Sequence, residues 1–253
     1  MTIEVTVLGS SGSHTGPGSV CSGYLLGSDG TRVMVEAGNG SSANLQTHLD
    51  IHELDAIVVS HQHVDHCIDL IGMYYALRFG AAGPNQVPLY AHRSVIDMLT
   101  SILSGDSALE FREAFDIHEI DAGQTVEIGA FSFELFPSVH SVPTLSMRIT
   151  ADDTVVAFSA DSAGGPDLVD CARGADLFLC EATWHGDQSE WPEGIHLTAR
   201  SAGEHASRAG VDRLALTHVV GGADRDRSVE EARETFTSGD LTVARDNDQW
   251  SVG

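Results

Sequence analysis

Residues 58–70 read VVSHQHVDHCIDL, and within them His61, His63, Asp65 and His66 fall directly after a run of β-branched residues. Imidazole nitrogens and carboxylate oxygens are the donors that Zn²⁺ favours, and the set also admits Mn²⁺ or Fe²⁺. If 54–60 is a strand, the cluster begins at its end. Residues two apart in an extended segment face the same way, so His61 and His63 can grip one ion. A helix from about Cys67 then turns Asp65 and His66 toward a second. The β-run argues against the i, i+4 pairing of a helical H-E-x-x-H site.

Four donors cannot complete two metal sites that also hold a substrate. Three more candidates each end an expected strand: His140 after FELFPSV, Asp161 after VVAFSA, and His218 after RLALT. Taken singly, each reads more simply as a satisfied polar residue at a strand end. Together, behind H-x-H-x-D-H, they read as ligands.

The elements that must hold these donors are visible as hydrophobic patterns. Strands are expected at 3–9, 31–37, 54–60, 87–91, 144–150, 154–160, 175–182 and 211–218, with period-2 alternation around Gly129 across 125–139. Helices are expected at 69–79 (stopped by GAAGP), 94–103, 165–174 and 198–210, the last with Thr198 as N-cap and Gly210 as C′. A further helix, 228–236, is read as opening with a capping box of Ser228 and Glu231. Strands dominate early, and helix and strand alternate later. Two sheets covered by helices in one domain, 1–253, is the simplest α/β architecture.

His61-x-His63-x-Asp65-His66, then His140, Asp161 and His218, resembles in order and context the ligand set of the metallo-β-lactamase-fold hydrolases. The likeness runs from VLGSSGS to LALTH. It implies an αββα sandwich of mostly antiparallel or mixed sheets, with a dinuclear site at the edge between them. By the family pattern His61, His63 and His140 would hold one zinc, Asp65, His66 and His218 the other, and Asp161 would bridge. A water between two such cations becomes hydroxide near neutral pH, so hydrolysis is the natural reaction. The redox branch of the fold, where Glu replaces the second His of the cluster, is not matched.

CEATW (180–184) and the stretch 196–218 resemble ribonuclease Z-like phosphodiesterases. The resemblance implies that Glu181 orients His196, and that His196 binds the scissile phosphate or protonates the leaving oxygen, with Asp65 as the third catalytic position. A capping or loop role for Glu181 and His196 is the alternative. One departure is Cys180, where the ribonuclease branch usually has His. A carboxylate at Asp161 argues against β-lactam hydrolysis, since true β-lactamases usually carry Cys or Ser there.

Only 21 positions separate His140 from Asp161, which leaves no room for the tRNA-gripping arm of long-armed ribonuclease Z proteins. The chain has thirteen basic residues, all arginine, against thirty-seven acids, for a net charge of −24. That field repels a long nucleic acid unless a basic patch intervenes. The expected partner is therefore a small phosphodiester such as a cyclic nucleotide, as in the short atypical phosphodiesterases the sequence most resembles. Ribonuclease Z activity on tRNA 3′ ends, thioester, lactone or sulfate-ester hydrolysis, and a metal-stabilised nucleotide sensor are the alternatives. The resemblance leaves a homodimer open.

Other features carry less. The loop LGSSGSHTGPGS (8–19) reads as a turn or as a set of amides for phosphate, and His14 within it as exposed. WHGDQSEW (184–191) reads as a surface loop, with a lid bringing Trp184 or Trp191 onto a base as the alternative. Four scattered cysteines without C-x-x-C spacing suit reduced thiols, and no apolar run of 18 or basic n-region appears, so a cytoplasmic protein without a membrane anchor is expected.

Overall fold

The computed structural model describes residues 1–81 and 86–253, so residues 82–84 of the expected GAAGP stop lie outside the described residues. In chain order the elements are β1 Ile3–Gly9, β2 Gly23–Ser28, β3 Thr31–Val35, α1 Ser41–Leu45, β4 Ala56–Val59, α2 Val64–Cys67, α3 Asp69–Phe79 and β5 Val87–Ala91. They continue with α4 Arg93–Ser101, α5 Gly105–Ala114, β6 Phe115–Glu119, β7 Thr125–Ile128, β8 Phe131–Pro137, β9 Leu145–Ala151 and β10 Thr154–Phe158. The last are α6 Pro166–Ala172, β11 Leu177–Glu181, α7 Ala199–Ala209, β12 Arg213–Thr217, α8 Arg225–Arg233, β13 Asp240–Val243 and β14 Gln249–Val252.

Among the described residues two seven-stranded sheets form, ordered β14-β1-β2-β3-β4-β5-β6 and β13-β12-β11-β10-β9-β8-β7. Each is half antiparallel and half parallel: β3 to β6 run parallel in the first, β10 to β13 in the second. The parallel halves explain the sequence pattern. β4 (AIVV), β10 and β11 are buried at every residue, because helices cover one face and the other sheet the opposite face. The expected αββα layering is present, with mixed sheets.

Among the described residues three apolar clusters fill the layers. Between the sheets, Val5, Tyr24 and Val33 meet Phe131, Phe133, Met147 and Val156. The Tyr24 hydroxyl crosses this layer to Thr217 Oγ1 at 2.5 Å, and its ring lies 5.2 Å from that of Phe158. Outside the first sheet, Leu70, Met73, Tyr74 and Leu77 of α3 cover Ile57 and Leu89, while outside the second Ala202 and Ala206 of α7 cover Phe178 and Leu214. Each large apolar side chain so buried contributes about 1.5–3 kcal/mol.

The caps of α7 form as expected: Thr198 accepts Ser201 N at 3.2 Å, and Gly210 sits at φ 68°. Gly129, at φ 55°, makes the turn between β7 and β8. The start of α8 differs from expectation. Asp224 is its N-cap, accepting from the amides of Asp226 and Arg227 at 3.1 Å, so the helix begins at Arg225. Ser228 lies inside it, with its hydroxyl 2.7 Å from His185 Nε2, and Glu231 is held by Arg227 and the Gly186 amide. The acid four residues before the serine caps the helix one turn earlier, which leaves Ser228 inside it. β2, β6, β13, β14, α1 and α5 were not anticipated; the closing strands DLTV and QWSV are too short and polar to show a period.

Candidate metal centre

The parallel strands of both sheets end at one edge, and nearly every polar residue of interest sits just past such an end. Glu36 follows β3, His61 follows β4, Asp161 follows β10, Glu181 ends β11, and His218 follows β12. His140 arrives from the segment after β8. The turn that carries Asp65 and His66 is α2, which begins at Val64, three residues earlier than the helix expected near Cys67. Glu36, Ala160 and His218 have φ of 64°, 50° and 53°, left-handed conformations that non-glycine residues hold only where packing compels them. Two glycines allow backbone to approach the site. A Cβ on Gly12 would lie 2.5 Å from His218 Nδ1, and one on Gly38 would lie 2.0 Å from the Asp65 carbonyl oxygen.

The seven expected donors converge in two groups, one of His61, His63, His140 and Asp161, the other of Asp65, His66 and His218, and His196 makes a third, overlapping set with Asp161 and His218. His63 Nδ1 is 3.1 Å from both His61 Nε2 and His140 Nε2. His66 Nε2 is 3.1 Å from His218 Nε2, which is 3.2 Å from Asp65 Oδ2. Asp161 stands between them. Its Oδ2 lies 3.5 Å from His61 Nε2 and 3.6 Å from His140 Nε2, and its Oδ1 lies 3.0 Å from His66 Nε2 and 3.3 Å from His218 Nε2. Each oxygen faces one group.

These donors fit divalent cations. Asp161 Oδ1 is buried and accepts no hydrogen bond from the described residues, an orphan that a cation would satisfy. Ligands about 2.0–2.1 Å from a tetrahedral ion stand about 3.3 Å from one another, close to the nitrogen separations seen. The electrostatics agree. Burial, and then His66, lowers the His61 pKa to about 3, so His61 is neutral. Burial opposes charge on Asp161 and Asp65 too, yet the neighbouring imidazoles outweigh it and hold both carboxyls below their usual range. At His66 burial is outweighed by Asp161 and Glu36, which raise its pKa and mark the spot as one that favours positive charge.

Outer partners fix which nitrogen faces inward. His140 Nδ1 donates to the Ile195 carbonyl at 2.8 Å, and His61 Nδ1 lies 2.9 Å from Ser60 Oγ. Thr183 Oγ1 donates to Glu181 Oε2 at 2.7 Å, so at 2.8 Å it accepts from His218 Nδ1. His66 Nδ1 donates to Glu36 Oε2 at 3.1 Å, while Glu36 Oε1 accepts Ser60 N at 2.9 Å. Glu36 was missed in the sequence; its only signal is an acid closing the short apolar run VMV of β3. Replacing Glu36 by Gln keeps the shape but presents an amide NH₂ to His66 and favours the wrong tautomer. Divalent-metal affinity, read by chelator competition, is expected to fall about 10–100-fold. Unchanged affinity would show that Glu36 does not set the tautomer.

Beside the two groups, His196 Nδ1 donates to Glu181 Oε1 at 2.9 Å and stands 3.9 Å from Asp161 Oδ2. Glu181 is buried and also accepts the amides of Ser162 at 2.6 Å and Leu197 at 3.3 Å. That is an orienting arrangement. Burial pulls the His196 pKa down, but Glu181 outweighs it and raises the value. An open cleft of about 420 Å³ is lined by Ser13, His63, Asp65, Asp161 and His196. The Ser/Gly loop packs Gly12 against His218 and donates Ser13 N to Asp65 Oδ2 at 2.7 Å. His14 is exposed and turns to the Thr15 carbonyl. The four cysteines are free and buried; Cys67 contacts the His63 carbonyl at 3.2 Å, and burial pushes its thiol pKa up. Among the described residues no helix is long and apolar enough to cross a membrane.

Comparison with known proteins adds a family and three relatives. A family model described as a beta-lactamase superfamily domain matches residues 31–219. The uncharacterized protein Rv1339 of Mycobacterium tuberculosis is 33% identical over 241 residues, covering 93% of this chain and 88% of that one. The probable metallo-hydrolase YhfI of Bacillus subtilis is 27% identical over 251 residues, covering 98% and 99%. Its crystal structure superposes with a TM-score of 0.88 at 25% identity, covering 99% of this chain and 100% of that one. A ribonuclease Z of Methanopyrus kandleri is 27% identical over 261 residues, covering 88% of each chain.

Proposed function

This chain belongs to the β-lactamase superfamily, and from that premise we propose that it is a dinuclear metal-dependent phosphodiesterase acting on a small substrate such as a cyclic nucleotide. The observation that carries the reading is Asp161, whose two oxygens each face a separate set of imidazole nitrogens. His61, His63 and His140 would hold one cation, Asp65, His66 and His218 the other, with Zn²⁺ the ion best suited to the donors. Bound there, the two cations would polarise the phosphoryl group and lower the pKa of a water between them.

The protein's own residues do the rest. Ser13 N holds Asp65 through Oδ2, which fixes that carboxylate against the chain. Glu181 keeps His196 in one tautomer with a proton on Nδ1, and the raised pKa of His196 lets it carry a second proton toward the leaving oxygen. The preference for a small substrate is supported by the segment from His140 to Asp161. It holds only β9 and β10, joined by the tight turn Asp152–Asp153 with Asp152 at φ 51°. A chain of net charge −24 adds to that preference.

The ribonuclease Z relative favours a second reading, cleavage at tRNA 3′ ends. Hydrolysis of 3′,5′-cyclic AMP and of a 3′-extended tRNA precursor by one zinc-loaded preparation separates the two. Cleavage of the cyclic nucleotide alone is expected. Cleavage of the tRNA alone would replace the first reading by the second, and hydrolysis only of a thioester, lactone or sulfate ester in the same panel would remove both.

A further inference from the structure

The loop between β11 and α7 is tied down along its length. The Gln188 amide donates to the His196 carbonyl at 2.8 Å, and its oxygen accepts Thr198 N at 2.9 Å. His185 and Gly186 are pinned to α8 through Ser228 and Glu231, at 2.7 and 2.8 Å. The two indoles stack, with centroids 4.9 Å apart and planes at 9°, and Trp191 Nε1 donates to the His185 carbonyl at 2.8 Å. Trp184 stands edge-on to the His196 ring at 5.2 Å. These bonds hold the loop in place as one wall beside the metal centre.

Trp184 is the inner indole of that pair and Trp191 the outer, 39% exposed. Trp191 walls a second cleft, of about 710 Å³, together with Val139 and Ala163, and Asp187, Glu193 and Gly194 also line it. Val139 is 49% exposed although apolar. Val139 precedes His140, Ala163 follows Asp161 by two residues, and Gly194 lies two before His196. The Ala163 amide donates to the Val139 carbonyl at 2.8 Å, joining two of these segments into one surface. A molecule held in this cleft would therefore rest on the same segments that carry the metal-centre residues. None of the cleft's lining residues is cationic, and two are carboxylates.

We infer that this cleft takes the flat, uncharged ring of a nucleobase, stacked on Trp191, from a substrate whose single phosphodiester lies at the metal centre. The inference rests on the phosphodiesterase reading above and adds a specificity residue to it. An indole already stacked on one side is immobilised before a third ring arrives, so the base meets a preorganised platform. Asp187 and Glu193 would repel a second phosphate, which limits the substrate to a mononucleotide rather than a chain.

Calorimetric titration of the divalent-loaded protein with adenosine 5′-monophosphate, ribose 5-phosphate and the dinucleotide pApA tests this without turnover. The nucleotide is expected to bind about tenfold or more tighter than the sugar phosphate, the usual scale of one base on one aromatic ring. Trp191→Ala should bring the two near parity, and Trp191→Phe should keep most of the difference. The sugar phosphate should bind all three proteins alike, which also shows that they are folded. Parity in the unaltered protein, or a preference that survives Trp191→Ala, overturns the inference. Tighter binding of pApA than of the mononucleotide also overturns it, in favour of an RNA chain. The two readings fail separately: Trp191-dependent binding without cyclic-nucleotide hydrolysis removes the reaction, and hydrolysis indifferent to Trp191 removes the subsite.

Discussion

Replacing Asp161 by alanine is expected to lower hydrolysis by about a thousandfold or more, roughly 4 kcal/mol of transition-state stabilisation, and to lower bound metal with it. The size follows from position. Loss of a partner that only orients a ligand already costs about 10–100-fold in metal affinity, and Asp161 faces both groups of imidazoles directly. Its removal also takes away the buried negative charge that offsets like charge on either side. Asp161→Asn is the stricter test, because it keeps volume while replacing one oxygen with a donor that must face one of the two groups. Metal content by elemental analysis and turnover should fall together in both variants. An Asn variant with full metal and full turnover would remove Asp161 from the centre.

His196→Ala should behave differently, with kcat falling about 10²–10⁴-fold, the range for loss of a general acid, while bound metal stays constant. His196 reaches Glu181 through Nδ1 at 2.9 Å and lines the open cleft, so its loss vacates no position in the two groups proposed as ligands. The discriminating readout is the leaving group. With a p-nitrophenyl phosphodiester, which departs without protonation, the loss should shrink to about tenfold or less. An equal loss on both substrates would instead make His196 a binder of the phosphate. Metal falling in step with activity would make it a ligand. Glu181→Gln, which keeps a hydrogen bond to His196 but not the charge, should give an intermediate loss on the unactivated substrate and leave metal content unchanged.

What could be read from the sequence follows from how local each signal is. A donor is a residue type, and a strand end is a local pattern. His61, His140, Asp161 and His218 could therefore be named because each closes an apolar run, and H-x-H-x-D-H is too dense a cluster to ignore. The caps of α7 were legible for the same reason, since Thr198 and Gly210 act within one helical turn. The start of α8 was misread because Asp224 and Ser228 are both competent caps, and only the dock of Ser228 against His185 settles between them. Tertiary structure alone decided the rest. Glu36 and Thr183 are ordinary residues until β3 lies beside β4 and β11 beside β12, which brings each within hydrogen-bond reach of an imidazole 30 or 35 positions away. Ser13 contributes only a backbone amide, which every residue but proline has, so no residue type could point to it. The pairing of Trp184 with Trp191, and the cleft it opens toward Val139, depends on a loop folding over a strand end 52 positions earlier in the chain. The sequence by itself determined which chemistry is available, because donors are chosen by type. The fold decided how each donor is oriented and what lies beside it, because those depend on contacts between segments far apart in the chain.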